Sequence, residues 1–115
     1  MLAEARSRIA RYTPAEAAGA ADVLLVDVRT NDERRESGII PGSVHVSRSV
    51  LEWRADPTSS SHDPKLAGKR LVIVCAQGYS SSLAAATLVQ LGVDAADLDG
   101  GFEAWAAAGL PVERL

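Results

Sequence analysis

The chain has 115 residues, 47% of them hydrophobic, which is enough for one globular core and too little for two. A formal charge of −3 and a pI near 5.3 leave no basic surface of the kind that phosphate-backbone binding needs, so no nucleic-acid partner is expected. One cysteine cannot close an internal disulfide, and with two scattered histidines it makes no metal-ligand pattern.

No apolar run approaches the roughly 18 residues of a membrane helix. Met1 to Arg11 lacks the apolar stretch of a secretory signal, and although Arg6, Arg8 and Arg11 lend it a faint transit-peptide character, it runs straight into the fold. The expectation is a cytoplasmic protein in a reducing compartment, away from membranes.

Ile9 to Tyr12 reads as a short edge strand, and Thr13-Pro14-Ala15-Glu16 is a capping box with proline at the first helical position, opening a helix to about Ala20. Val23 to Val28 is a buried strand that leaves Asp27 and Arg29 at its carboxyl end. Asn31 is expected to cap a helix over Asp32 to Ser37, which Gly38 ends. After the Pro41-Gly42 turn comes a strand over Val44 to Ser47, then a short helix capped by Ser49 and carrying Leu51 and Trp53. Ala55 to Lys69 is polar and reads as a surface loop, with one helical turn near Pro64 to Ala67.

Leu71-Val72-Ile73-Val74 is short, unbroken and mostly β-branched, as a strand buried on both faces should be. A helix from Leu83 to Leu91 is ended by Gly92. Asp97 to Asp99 is a last strand, Gly100-Gly101 a tight turn, and Phe102 to Ala108 a final helix ending at Gly109. Strands alternating with helices imply an α/β fold: a mostly parallel sheet of about five strands, covered on both faces, in one domain over residues 1–115.

The lone cysteine falls where such a sheet puts its ligands, at the carboxyl end of a central strand. The stretch is Cys75-Ala76-Gln77-Gly78-Tyr79-Ser80-Ser81-Ser82. Gly78 lets the loop curl until successive N–H groups point at one spot, and Ser80 or Ser81 is expected to cap the helix behind it. Such a nest attracts anions, a thiolate included, and lowers the pKa of the cysteine. A cysteine closing a strand is commonly a small apolar filler, but a filler needs neither the glycine, nor the serines, nor the helix.

Cys75-Ala-Gln-Gly78-Tyr-Ser80-Ser81 resembles the active loop of single-domain rhodanese-like sulfurtransferases. So do Leu25-Val-Asp27-Val-Arg29 with Glu33, Gly38-Ile-Ile-Pro41-Gly42-Ser43, and Asp99-Gly100-Gly101-Phe102 through Trp105 to Gly109-Leu110-Pro111-Val112, in family order, over nearly the whole chain. Two positions depart from the pattern. Many members have an arginine where this chain has Ser80 and a histidine where it has Ile39, and the first change removes a fixed charge from the anion site.

The resemblance implies a sulfurtransferase. Cys75 takes sulfur from a small donor such as thiosulfate, holds it as a persulfide and passes it to cyanide, a thiol or a protein, with no organic or metal cofactor. The loop N–H groups from Ala76 to Ser81 would hold the anions, and Arg29 is a further candidate for contact with substrate. Three other readings stay open: a phosphatase or arsenate reductase, a persulfide carrier in a sulfur relay, and a non-catalytic binding module. The first needs an arginine six positions after the cysteine, where this chain has Ser81, and a loop one residue longer.

Other residues have plainer expectations. An ion pair or hydrogen bonds fixing the loop is the commoner role for Asp27 and Arg29. Arg48 is a weaker contact candidate of the same kind, His45 is a packing or hydrogen-bonding residue in a strand, and His62 is solvated. Trp53 and Trp105 are expected in the core, and Tyr79 near the mouth of the loop.

Overall fold

Leu71, Val72, Ile73 and Val74 have no solvent exposure in the computed structural model, which describes residues 1–115. They occupy the middle strand of a five-stranded, wholly parallel sheet. The strands are β1 (Ala10–Tyr12), β2 (Val23–Asp27), β3 (Val44–His45), β4 (Arg70–Val74) and β5 (Ala95–Leu98), in the order β1-β5-β4-β2-β3. Alternation along β4 divides its side chains between two cores. Leu71 and Ile73 join Val26 and Ala95 on one face, and Val72 and Val74 join Ala96 and Leu98 on the other. Full burial of each of these leucine, isoleucine and valine side chains stabilises the fold by about 1.5–3 kcal/mol.

Of six α-helices, four cover the faces of the sheet. On the first face lie α4 (Leu51–Ala55), through Leu51 and Ala55, and α5 (Ser80–Gln90), through Ala84, Ala85 and Leu88. On the second lie α2 (Pro14–Gly19), through Ala17, and α6 (Gly101–Ala107), through Phe102 and Trp105. The remaining two, α1 (Leu2–Ser7) and α3 (Asn31–Ser37), lie before β1 and after β2 in the chain. None is long and apolar enough to cross a membrane.

Several local expectations need correction. Ser49 caps no helix, since the N-cap of α4 is Val50 with no side-chain cap bond; β3 stops at His45 rather than Ser47; and α5 starts at Ser80 rather than Leu83. The sequence reading had no helix at α1, which buries only Ala5 and has no side-chain cap; a helix so short takes its stability from tertiary packing, here against α5. The cap of α3 is Thr30, not Asn31: Thr30 Oγ1 accepts the Glu33 N–H at 3.1 Å and Glu33 Oε1 accepts the Thr30 N–H at 2.9 Å, a reciprocal pair that requires threonine three positions before glutamate. The last strand is Ala95–Leu98 rather than Asp97 to Asp99, its register set by β4. Trp105 is buried as expected, but Trp53 is 65% exposed, because α4 buries Leu51 and Ala55 one turn apart and Trp53 falls between them.

Candidate active site

At the carboxyl end of β4 the chain turns through Gly78, whose φ is +86°, and enters α5. The turn closes on the sulfur of Cys75, a residue only 6% exposed. Gly78 and Ser81 donate their N–H groups to Cys75 Sγ at 3.1 and 3.4 Å, and the thiol reaches Ser81 Oγ at 3.3 Å. Neither Ser80 nor Ser81 caps α5; the N-cap is Tyr79, with no side-chain cap bond. A buried carboxylate holds the next two serines instead. The hydroxyls of Ser81 and Ser82 donate to Asp97 Oδ2 at 2.9 and 2.7 Å, and Asp97 has no exposure.

The loop is polarised by what takes its carbonyls. Phe102 and Glu103, in the first turn of α6, donate their N–H groups to the carbonyls of Cys75 and Ala76 at 2.8 and 3.0 Å. The Gly78 carbonyl accepts from Arg6 Nη2 at 2.9 Å and Arg11 Nη2 at 3.3 Å, and Ser82 Oγ lies 3.1 Å away. Each trans peptide points its N–H opposite to its carbonyl. The N–H groups of Ala76, Gln77 and Tyr79 are thereby turned the other way, and they find no backbone acceptor.

A cavity of about 350 Å³ opens beside the sulfur and brings together Cys75, Ala76, Gln77, Tyr79, Ser80 and Arg29. Gly78 and Ser81 are not among its lining residues; they act from behind the sulfur. Tyr79 is 59% exposed, with the Arg6 guanidinium 5.9 Å from its ring centre. Arg29 reaches the cavity, but its guanidinium is committed elsewhere. It pairs with Asp27 at 2.9 Å, donates to the Gly38 carbonyl at 2.7 Å and lies 3.9 Å over the Phe102 ring. His45 Nε2 hydrogen-bonds the Arg29 carbonyl at 2.9 Å, so the segment after β2 is pinned at both ends of that residue.

Volume alone does not mark the site. A larger cleft, about 580 Å³, is bounded by Val23, Arg70 and Asp94, far along the sheet from Cys75. It holds no cysteine, and its Arg70 is tied to Asp94 and the Tyr12 hydroxyl. No three His, Cys, Asp or Glu side chains lie together as a metal-binding group.

Burial by itself pushes the Cys75 thiol up. Hydrogen bonds from the Ser81 and Ser80 hydroxyls and from the Ser81 and Gly78 N–H groups outweigh it, and the thiol titrates below an ordinary cysteine. A sulfur whose thiolate is favoured by hydrogen bonds, three free N–H groups and an adjoining cavity together suit nucleophilic attack on an anionic substrate.

The model of the rhodanese-like domain matches residues 13–108. The chain belongs to the rhodanese-like domain family. It is 38% identical over 92 residues to a sulfurtransferase of Allochromatium vinosum, covering 79% of this chain and 78% of that one. It is 41% identical over 86 residues to the thiosulfate sulfurtransferase GlpE of Pseudomonas savastanoi pv. phaseolicola, covering 73% of each. Among solved structures it is similar to a Rhodopseudomonas palustris protein described as of unknown function and a possible tyrosine phosphatase, with a TM-score of 0.90 and 41% identity over 97% of this chain and 90% of that one.

This rhodanese-like domain uses more residues than the loop motif shows. Val28, Thr30 and Glu33 also line the cavity; Val28 and Glu33 stand among the family landmarks read from the sequence, and Thr30 does not. Arg6, Arg11 and Asp97 brace the loop from up to 76 residues away in the chain, and no local pattern marks them.

Proposed function

We propose that this rhodanese-like protein moves a sulfane sulfur through a persulfide on Cys75. The Cys75 thiolate attacks the outer sulfur of thiosulfate; an S–S bond forms, the bond to the sulfite group breaks, and sulfite leaves with the electron pair. A nucleophilic acceptor then attacks the terminal sulfur and the Cys75 thiolate returns. The acceptor is cyanide in the laboratory and a cellular thiol or a sulfur-relay protein in a reducing, cytoplasmic setting, and no resident cofactor is needed.

The observation that carries this reading is the sulfur of Cys75, already hydrogen-bonded by two loop N–H groups, lying beside a cavity lined by Ala76, Gln77 and Tyr79, whose N–H groups have no backbone acceptor. Fixed dipoles of this kind stabilise the incoming donor and the persulfide anion without reorganising. Sulfurtransferase names among the relatives support the same chemistry. Intact-protein mass spectrometry after incubation with thiosulfate tests it. One added sulfur atom is expected in the wild type, removable by cyanide and absent in Cys75→Ser. No adduct with thiosulfate or with a persulfidated donor would favour a binding module.

The description of the Rhodopseudomonas palustris neighbour raises a phosphatase reading. A tetrahedral phosphate needs a guanidinium in the loop, and six positions after Cys75 stands Ser81, whose hydroxyl serves Asp97 and the sulfur. Hydrolysis of a phenyl phosphate that disappears in Cys75→Ser would reverse this ranking.

A further inference from the structure

Three carbonyls of the cysteine loop are held away from the cavity, and they are held by different parts of the chain. Those of Cys75 and Ala76 are taken by the backbone of α6. That of Gly78 is taken by two arginines, Arg6 from α1 and Arg11 from β1, and both precede residues 13–108, over which the family model matches. The same arginines serve the serine pair behind the sulfur. Arg6 Nε donates to Ser82 Oγ at 3.1 Å, and Arg11 donates to the two oxygens of Asp97 at 2.8 and 3.2 Å.

Ser81 carries one hydroxyl hydrogen and has two anionic claimants. Its oxygen lies 3.3 Å from Cys75 Sγ and 2.9 Å from Asp97 Oδ2. While sulfur is a thiol, the chain runs from S–H to Ser81 and from Ser81 to Asp97. Once sulfur is an anion, Ser81 can satisfy it only by turning its hydrogen away from Asp97. Asp97 tolerates that loss because Ser82 and Arg11 still donate to it and Arg11 balances its charge.

We propose that Arg6 and Arg11 are positioning residues of the sulfur site: they fix the Gly78 carbonyl so that the Tyr79 N–H faces the ligand, and Arg11 balances Asp97 so that the Ser81 hydroxyl is released to an anionic sulfur. The N-terminal segment thereby becomes part of the machinery. It supplies, from beneath the loop, positive charge that the loop lacks at Ser80.

The other charged groups around the sulfur are accounted for. On the β5 side Asp99 pairs with Arg11 at 3.1 Å, and from α6 Glu103 accepts from Gln77. After β2, Arg29 is neutralised by Asp27, and Glu33 is engaged with Thr30 at the start of α3. Arg6 and Arg11 are the arginines that bond the loop itself.

The proposal concerns the same thiol as the sulfur-transfer reading, yet its test needs no sulfur donor, so the two fail independently. The pH midpoint of Cys75 alkylation by iodoacetamide is measured in the full chain and in Arg11→Gln, Arg6→Met and Arg11→Gln/Asp97→Asn. Arg11→Gln removes a cation and leaves Asp97 uncompensated, so the midpoint should rise by about one pH unit, as a charge of the wrong sign near a thiolate produces. The double variant is neutral at both positions and should return to within about 0.3 pH units of the wild type, because the two charges are removed together. Arg6→Met leaves no buried charge behind and guards against misfolding of Arg11→Gln; a rise of about half a pH unit is expected. Midpoints unchanged in folded Arg11→Gln and Arg6→Met overturn the proposal. So does a double variant that stays as high as Arg11→Gln, which would mean that the arginine acts through shape alone.

Discussion

Gly78 packs against the backbone of Gly100 so closely that a Cβ on Gly78 would sit 2.8 Å from the Gly100 nitrogen. Two landmarks 22 residues apart in the chain are therefore one structural unit, the turn that closes on the sulfur and the turn that starts α6. Gly101 repeats the contact from the other side, since its Cβ would lie 2.5 Å from the Cys75 carbonyl oxygen.

Gly78→Val should therefore cost more than a typical surface change. The φ of +86° alone costs an L-residue about 1–2 kcal/mol, and the collision with Gly100 adds to it. Thermal unfolding should show a loss of at least about 2 kcal/mol, with persulfide formation abolished. A variant with wild-type melting and labelling would mean that the loop has room that the structure denies it.

Arg29→Ala should act through stability first. Arg29 is 4% exposed and Asp27 2%, so removing the guanidinium leaves a buried carboxylate with only Arg34 Nε, at 3.7 Å, as a cationic partner and also uncovers the Phe102 ring. Breaking such a pair costs about 3–5 kcal/mol, to be read from urea unfolding. Near-normal stability with a raised KM for thiosulfate would instead give Arg29 a role in holding the donor.

Ser80 lines the cavity beside Cys75, and the family often has arginine there. Ser80→Arg should lower the KM for thiosulfate about five- to tenfold, the effect of one charge-assisted hydrogen bond of about 1–1.5 kcal/mol. The gain should shrink as salt is added. An unchanged KM would show that the loop N–H groups already dominate anion binding.

The depressed pKa of Cys75 also makes stability depend on pH. Between the folded value and the ordinary cysteine value of about 8.5, the unfolded chain binds the proton that the folded chain has lost, so stability rises with pH across that window. The contribution is complete above the ordinary value and vanishes as pH falls through the folded one. The stability of the wild type relative to Cys75→Ala should therefore climb with pH up to about pH 9 and then level off. A difference that is flat, or that falls with pH, would mean that burial outweighs the hydrogen bonds to sulfur.

Much of this protein is determined by short-range chemistry, and that part is legible in the sequence. An unbroken Leu71–Val74 can only be satisfied between two covered faces, the Thr13 capping box closes within four residues, and the cysteine at the strand's end follows from the direction of a parallel sheet. What the tertiary structure decided is which partner wins when several are within reach. Ser81 leaves the cap of α5 because Asp97 arrives from β5, Trp53 is exposed because Leu51 and Ala55 claim the core, and α1 exists because α5 gives Ala5 a surface to cover. Arg11 reaches Asp97 across 86 residues because β1 pairs with β5 at the sheet edge. Such pairings depend on strand order and burial, which no stretch of neighbouring residues encodes alone.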